Sequence, residues 1–229
     1  MTSRTKVSVI VPAYNEENGI EAVLRRLLRV SQNLPGSEII VVDDGSTDDT
    51  AKRVARFNPV RLVRHGINQG KGAAISTGLK NSKGDIIVIQ DADTEYPPED
   101  IFRLLEPILA GRADVVFGSR FKGECLSMCF SHFVGNKILS VATSLLYGAS
   151  VSDVMTGHKA FSRRAIESYE LSEKGFAVEI EIASKCLKNR CRFAEVPIRY
   201  SYRRHDISKI SYLDGFRALW KLVLGRLSG

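Results

Sequence analysis

Asp85-Ile86-Ile87-Val88-Ile89-Gln90 runs directly into Asp91-Ala92-Asp93, and Tyr96-Pro97-Pro98 stands just behind. The apolar, β-branched run begins after Gly84 and stops at a proline pair, so it reads as a short buried strand delivering two carboxylates to a turn. In an open parallel sheet, ligands collect at the carboxyl ends of strands, and oxygen donors placed there suit a hard cation bridging to phosphate. The same aspartates also suit the start of a helix near Pro98-Glu99-Asp100. The rest of the chain must decide between a metal-diphosphate site and a helix cap.

Upstream, Val7-Ser8-Val9-Ile10-Val11 is a second buried-strand run ending at Pro12, and Ile20, Val23, Leu24, Leu27 and Leu28 follow at helical spacing. Glu38-Ile39-Ile40-Val41-Val42 gives another strand closing on Asp43-Asp44-Gly45-Ser46-Thr47-Asp48, so carboxylates again stand at a strand end. Ala51, Val54, Ala55 and Phe57 mark a second helix, residues 60–63 a third strand, and residues 73–79 a helix opened by Asn68-Gln69-Gly70-Lys71-Gly72. That turn is not a Walker loop, because Gly72 stands where Ser or Thr would follow Lys71. The glycines suit a tight turn before a helix, and Lys71 suits a contact to base or phosphate. Ile101, Leu104, Leu105 and Ile108 define a further helix, and Asp114-Val115-Val116-Phe117 a strand ending in Gly118-Ser119-Arg120. Strand alternating with helix predicts an α/β fold, a mostly parallel sheet with helices on both faces.

Beyond Arg120 the pattern changes. Phe133, Ile138, Leu139, Val141, Ala142, Leu145, Leu146 and Tyr147 give a helix with a wide apolar face. Asp153 and Thr156-Gly157-His158-Lys159 are expected in a turn, Ala165 and Ile166 in a short helix, and residues 176–187, with Glu179 and Glu181, in a longer one. Residues 195–202 read as a strand. Residues 212–227 set Phe216, Leu219, Trp220, Val223, Leu224 and Leu227 against Arg217, Lys221 and Arg226. Such an amphipathic helix suits either a membrane surface or docking on a core.

The chain is 229 residues long, enough for one substantial core, and no linker-like composition divides it. Lysine and arginine total 33 against 26 acidic residues, a net charge of +7 that points to an anionic partner. The basic residues are dispersed and form no nucleic-acid-binding module, which argues against a nucleic-acid partner. Cys125, Cys129, Cys186 and Cys191 match no strong zinc spacing and follow no secretory signal, so reduced thiols in a cytosolic protein are expected. The longest uncharged stretch, residues 138–152, is 15 residues and rich in Ser and Thr, too short and too polar to span a bilayer.

Taken together, Val11-Pro12-Ala13-Tyr14-Asn15-Glu16, Asp43-Asp44-Gly45-Ser46-Thr47-Asp48, Asn68-Gln69-Gly70-Lys71-Gly72, Gln90-Asp91-Ala92-Asp93, Gly118-Ser119-Arg120 and Ser152-Asp153 through Thr156-Gly157 carry a resemblance. The sequence resembles the family 2 inverting glycosyltransferases, within them the dolichyl-phosphate mannose and glucose synthase group. The resemblance implies a Rossmann-like GT-A domain over residues 1–229, with a nucleotide-sugar-binding half (1–120) and an acceptor-binding, membrane-associating half (121–229). It implies that Pro12, Tyr14, Glu16, Asp43, Asp44, Lys71 and Asp91 bind the nucleotide. Asp91 and Asp93, with Glu95 as a further ligand, would hold Mg²⁺ or Mn²⁺ on the sugar diphosphate. Arg120, Arg203 and Lys209 would bind phosphate, and Asp153, with Asp91 and Arg120, would serve the chemistry beside a polyprenyl (dolichyl) phosphate acceptor. Glu95 stands where mannose synthases of this kind often carry Gln, which leaves GDP-mannose and UDP-hexose both open as donors. The resemblance also implies a peripheral protein on the cytoplasmic face of an anionic membrane.

Three rival readings share parts of this pattern. A family 2 enzyme with a saccharide acceptor has the same donor half but needs a base for a sugar hydroxyl, whereas a phosphate acceptor is already ionised near neutral pH. A nucleotidyltransferase is expected to open its first strand-helix turn with a glycine-rich, arginine-containing loop, and here that turn is Pro12-Ala13-Tyr14-Asn15-Glu16. A catalytically silent nucleotide-binding module at a membrane surface is opposed by the intact Asp91, Asp93 and Asp153.

Overall fold

The computed structural model describes residues 5–123, 128–167 and 169–201, together with Trp220, Leu222 and Arg226. Within them a seven-stranded sheet has the order β3-β2-β1-β4-β6-β5-β7. Its strands are β1 (Val7–Ala13), β2 (Glu38–Asp43), β3 (Arg61–Arg64), β4 (Ile86–Ile89), β5 (Val115–Ser119), β6 (Lys159–Ser162) and β7 (Phe193–Pro197). All neighbouring pairs are parallel except those made by β6, which lies antiparallel to both β4 and β5.

The unbroken apolar runs of β1, β2 and β4 follow from burial on both faces. Val7, Val9, Val11 and Ala13 join Ile39, Val41, Ile86 and Val88 on one face, where α1 (Ile20–Gln32), α2 (Thr50–Val54) and α4 (Ile101–Leu109) pack. Ile10, Ile87, Ile89, Val115, Phe117 and Phe161 point to the other face. There they meet α3 (Lys71–Asn81), α5 (Phe130–Tyr147), α6 (Arg163–Ile166) and α7 (Val178–Lys188). In α1, Ile20, Val23, Leu24, Leu27 and Val30 are all buried, the stripe that the 3.6-residue period requires. Each such side chain contributes about 1.5–3 kcal/mol when fully buried.

Because β2 and β4 flank β1 on opposite sides, strand order reverses at β1, and a crevice opens at the carboxyl ends of the strands. Tyr14, Asp43-Asp44 and Asp91 all emerge at this edge.

The expectation of a turn through Lys159 is corrected: Lys159 begins β6, where it is paired with Ile89 and Phe117. A run as short as Lys159-Ala160-Phe161-Ser162 has no readable period, and its central position comes from the strands on either side. The last strand covers residues 193–197 rather than 195–202, and Arg199 beyond it binds Asp100 through its N–H (2.7 Å) and guanidinium (2.9 Å). Near the C-terminus Trp220, Leu222 and Arg226 are helical. Leu222 is buried in the core beside α5, its carbonyl accepting from Tyr147 Oη–H (3.3 Å), while Trp220 is exposed. The remainder of the expected 212–227 helix, and Arg203 and Lys209, lie outside the described residues. No helix among the described residues is long and apolar enough to cross a membrane.

Candidate active site

The β1–β2 edge of the crevice is built from backbone turns laced by side chains. After β1, Asn15 adopts a left-handed conformation (φ 51°), its N–H donates to Ser46 Oγ (3.0 Å) and its Oδ1 accepts from Thr47 N–H (2.9 Å). Glu16 N–H binds Thr50 Oγ1 (2.8 Å), so the turns after β1 and β2 form one wall, with Tyr14 and Glu16 half-buried on it and Pro12 buried behind. Asp43 and Asp44 were expected against the nucleotide. In the structure Asp43 accepts from Ser46 N–H (3.2 Å) and Arg64 Nε–H (3.1 Å). Asp44 accepts from Gly70 N–H (2.7 Å) and Gln69 N–H (3.0 Å) and pairs with His65 Nδ1 (2.6 Å). Both carboxylates are buried, and through these bonds they shape the wall and the 68–70 turn.

Lys71, read as a contact to base or phosphate, is held by two carboxylates of the chain. Its ammonium lies between Asp91 Oδ1 (2.7 Å) and Glu179 Oε1 (2.8 Å), and Glu179 Oε2 in turn pairs with Lys159 Nζ. Asp91, Lys71, Glu179 and Lys159 thus alternate in sign across β4, α3, α7 and β6. Lys159 and Glu179 are buried and Lys71 and Asp91 half-buried, and two cations balance two carboxylates, which is the condition for charge to be tolerated in a low-dielectric interior. Burial works against the Lys71 ammonium, but Asp91 and Glu179 outweigh it and hold its pKa above the ordinary value. Burial likewise opposes ionisation of Asp91, and Lys71 overrides it, so the Asp91 carboxyl titrates below its usual range. For Lys159 burial wins over Glu179, and its pKa is lowered.

Gly157 explains why the Thr156-Gly157 pair was legible as a motif. A Cβ built there would lie 1.9 Å from Asp91 Oδ2, so only glycine lets the 156–158 segment pass beside that carboxylate. Tyr96 Oη accepts from Gly157 N–H (3.3 Å) and stacks edge-on with His158 (6.0 Å between centroids). His158 is fully buried with no hydrogen-bond partner on either ring nitrogen among the described residues, and burial pushes its pKa down to about 4. It is neutral at physiological pH.

Asp91, Asp93 and Glu95 do not converge on one point. Among the described residues no group of three or more His, Cys, Asp or Glu side chains is set to hold a metal. Asp93 Oδ1 accepts from Glu95 N–H (3.0 Å), and Glu95 Oε2 accepts from Tyr200 Oη–H (2.9 Å). A complete three-carboxylate cage is therefore not what the turn provides. The physical reason is that Mg²⁺-type ions bind through one or two carboxylates and take the rest of their shell from phosphate and water.

At the far end of the crevice Arg120 and Asp153 form a bidentate pair, Nε–H to Oδ2 and Nη2–H to Oδ1 at 2.7 Å each, with Arg120 N–H also donating to Oδ2 (3.0 Å). Burial disfavours the Arg120 charge, but Asp153 holds its pKa well above the ordinary value. The two residues, separated by 33 positions in sequence, meet because β5 ends where the 151–154 turn arrives. That turn hangs from α5: Val151 N–H donates to Ser144 Oγ and Val154 N–H to Ser140 Oγ, 3.0 Å each. The hydroxyls of α5 face inward together with part of its apolar surface: Leu139 is buried in the core, and Ala142, Leu146 and Tyr147 pack against it. Ser140 and Thr143 are buried while Phe130, Val134, Ile138, Val141 and Leu145 are exposed along one stripe.

Sequence reading did not single out Glu195, whose buried carboxylate receives Ser152 N–H and Oγ–H (2.8 Å each) behind Asp153. An acidic residue on an otherwise apolar strand that ends at the ligand-binding edge was the available signal.

The glycosyl transferase family 2 model matches residues 8–169. UDP-N-acetylglucosamine–dolichyl-phosphate N-acetylglucosaminyltransferase of Methanococcus voltae is 34% identical, over 95% of this chain and 95% of its own length. Polyprenol monophosphomannose synthase of Mycolicibacterium smegmatis is 32% identical, over 99% of this chain and 89% of its own. Among solved structures, glucosyl-3-phosphoglycerate synthase of Mycobacterium tuberculosis, in complex with Mn²⁺, UDP and phosphoglyceric acid, superposes with a TM-score of 0.78. At 24% identity, covering 98% of this chain and 79% of that one, it establishes the common fold. The family match spans the strands that carry both the Asp91 turn and the Arg120–Asp153 pair, and the chain belongs to glycosyl transferase family 2, a glycosyltransferase.

Proposed function

We propose that this enzyme transfers a hexose from a nucleotide sugar to a polyprenyl phosphate, with inversion at the anomeric carbon. The observation that carries the reading is the mounting of Asp153: the turn that holds it is hydrogen-bonded to the hydroxyl face of α5, whose opposite face is an exposed apolar stripe. A lipid tail lying along that stripe brings its headgroup to Arg120 and Asp153. The end-to-end relatives named for transfer to dolichyl phosphate and for polyprenol monophosphomannose synthesis support the same acceptor class.

The two halves of the site divide the work. The wall formed by Pro12, Tyr14 and Glu16, shaped by Asp43 and Asp44, takes the nucleoside, and the Asp91 turn takes the diphosphate. Asp91 and Asp93, both partly open to solvent, supply the hard oxygen donors that fit Mg²⁺ or Mn²⁺. When bound, such an ion stabilises the departing diphosphate as a Lewis acid. Lys71 keeps Asp91 ionised and fixed before the donor arrives. A phosphate monoester, with a second pKa near about 6, is already ionised at neutral pH, so its oxygen attacks without a strong base. Asp153, held on both oxygens by Arg120, orients the acceptor and takes any residual proton, while Arg120 presents its remaining N–H groups to phosphate. The exposed stripe of α5, exposed Trp220 and a net charge of +7 support peripheral attachment to an anionic bilayer, on its cytoplasmic face.

The test is a panel of GDP- and UDP-sugars with Mn²⁺ and a short polyprenyl phosphate, read by product mass and anomeric configuration. A polyprenyl-phosphate hexose of inverted configuration is expected. Retention of configuration, or transfer to free sugars with none to polyprenyl phosphate, would overturn the assignment.

A further inference from the structure

Glu195 lies on β7 with its side chain 1% exposed, and both oxygens face the turn that carries Asp153. Oε1 accepts from Ser152 N–H (2.8 Å) and Asp153 N–H (3.2 Å). Oε2 accepts from Ser152 Oγ–H (2.8 Å) and pairs with Lys122 Nζ (2.8 Å). Lys122 follows Arg120 by two residues, its N–H is tied to Ser119 Oγ (3.2 Å), and that hydroxyl meets Ser152 Oγ (2.7 Å). One carboxylate thus fixes the backbone on which Asp153 rides and the direction of the Lys122 ammonium.

The charge arrangement has a polarity. In each of two ion pairs the carboxylate is innermost, Asp153 at 0% and Glu195 at 1% exposure, and the cation is the outer member, Arg120 at 7% and Lys122 at 46%. Asp153 uses the Nε–H and one Nη2–H of Arg120, and Glu195 uses one of the three donors of Lys122. Among the described residues the remaining donors of both cations meet no other hydrogen-bond acceptor, and the buried acids hold them in place. A buried acid often gains little stability over an apolar residue of similar size, because desolvation offsets the attraction. A preorganised anion site is what this polarity provides.

We propose that Lys122 is a further ligand of the acceptor phosphate and that Glu195 is the positioning residue that holds both Lys122 and the Asp153 turn for it. The inference rests on the polyprenyl-phosphate reading for the identity of the acceptor, while its core, a phosphate site beside Arg120, stands on the geometry. Glu195→Gln keeps the volume, removes the charge that directs Lys122, and replaces one acceptor with a donor facing Ser152. Lys122→Gln alters a half-exposed side chain and leaves the fold intact.

Three quantities are measured for wild type, Lys122→Gln, Glu195→Gln and the double variant: KM for polyprenyl phosphate, thermal stabilisation by UDP or GDP with Mn²⁺, and binding of inorganic phosphate by calorimetry. Lys122→Gln is expected to raise acceptor KM and weaken phosphate binding about five- to tenfold, and Glu195→Gln about tenfold or more, with nucleotide stabilisation unchanged. The double variant is expected to be no worse than Glu195→Gln alone, because Lys122 has already lost its orientation. Lys122→Gln with wild-type KM and phosphate affinity, or Glu195→Gln losing nucleotide and phosphate binding in parallel with thermal stability, would overturn the inference. Wild-type enzyme inactive on polyprenyl phosphate, yet binding phosphate in a Lys122-dependent way, would refute the acceptor reading and leave the anion site standing.

Discussion

Substituting Glu179 by Gln tests the alternating charge chain directly. Glu179 is 2% exposed and Lys159 fully buried, and they pair with each other, while Lys71 retains Asp91 as a second partner. In Glu179→Gln, Lys71 keeps one ion pair, but Lys159 is left with the Thr156 carbonyl and the Phe117 ring, 4.7 Å from its ammonium. Removing one partner of a buried pair costs about 3–5 kcal/mol. A domain of this size loses about 2–4 °C in Tm per kcal/mol, so a fall of about 6–20 °C is expected. The double variant Glu179→Gln/Lys159→Met removes the stranded charge with its partner, and replacing a whole buried pair by neutral groups of similar volume is close to neutral. More than half of the lost stability should return, a coupling of about 2 kcal/mol or more in the double-mutant cycle. Thermal and urea unfolding followed by circular dichroism at neutral pH provide the measurement. A Tm change under 2 °C for the single variant, or strict additivity in the cycle, would refute the energetic coupling of Glu179 and Lys159.

Other outcomes follow from the same geometry. Asp93→Ala should lower transfer by about 10²-fold or more at saturating Mn²⁺ with Tm changed by only about 2 °C, since Asp93 sits on a partly open turn; near-normal turnover would remove it from the metal site. Gly157→Ala brings a Cβ to 1.9 Å from Asp91 Oδ2 and forces that carboxylate aside, costing about 1–3 kcal/mol of stability and, through a misplaced carboxylate, about 10²-fold in turnover; unaltered stabilisation by nucleotide with Mn²⁺ would count against it. His158 has a folded-state pKa of about 4 against 6.5 ordinarily, so the unfolded chain takes up the proton first. Its contribution is present above pH 6.5 and is lost as pH falls toward 4, about 3 kcal/mol in all, and His158→Phe should flatten that slope in urea titrations across the window. An unchanged slope in His158→Phe would show that other groups carry it. Ile138→Glu/Leu145→Glu on the exposed stripe of α5 should reduce co-sedimentation with anionic vesicles at low salt, and undiminished binding would place the membrane contact elsewhere.

The sequence by itself determined the doubly covered sheet, because strands buried on both faces are apolar at nearly every position, as in Ile86-Ile87-Val88-Ile89 and, apart from Ser8, Val7-Ser8-Val9-Ile10-Val11. It also placed Asp43, Asp44 and Asp91 at the carboxyl edge, since a strand's end is marked locally by where its apolar run stops, and the ordered motifs were sufficient to indicate the family. Partnerships across the sheet were beyond it. Lys71 stands beside glycines in the chain and reads as a contact to base or phosphate; that its ammonium lies between Asp91 and Glu179, which arrives from a helix more than a hundred residues later, was not readable locally. The four-residue strand at Lys159 has no period of its own and exists because β4 and β5 leave a gap between them. The wide apolar surface of α5 divides: Leu139, Ala142, Leu146 and Tyr147 pack on the core beside inward Ser140 and Thr143, while Ile138, Val141 and Leu145 stay exposed, and only packing on the Asp153 turn settled which part faces in. Local pattern records what each residue prefers; which charges end up sharing one buried site depends on contacts between distant segments, and those are decided by tertiary structure.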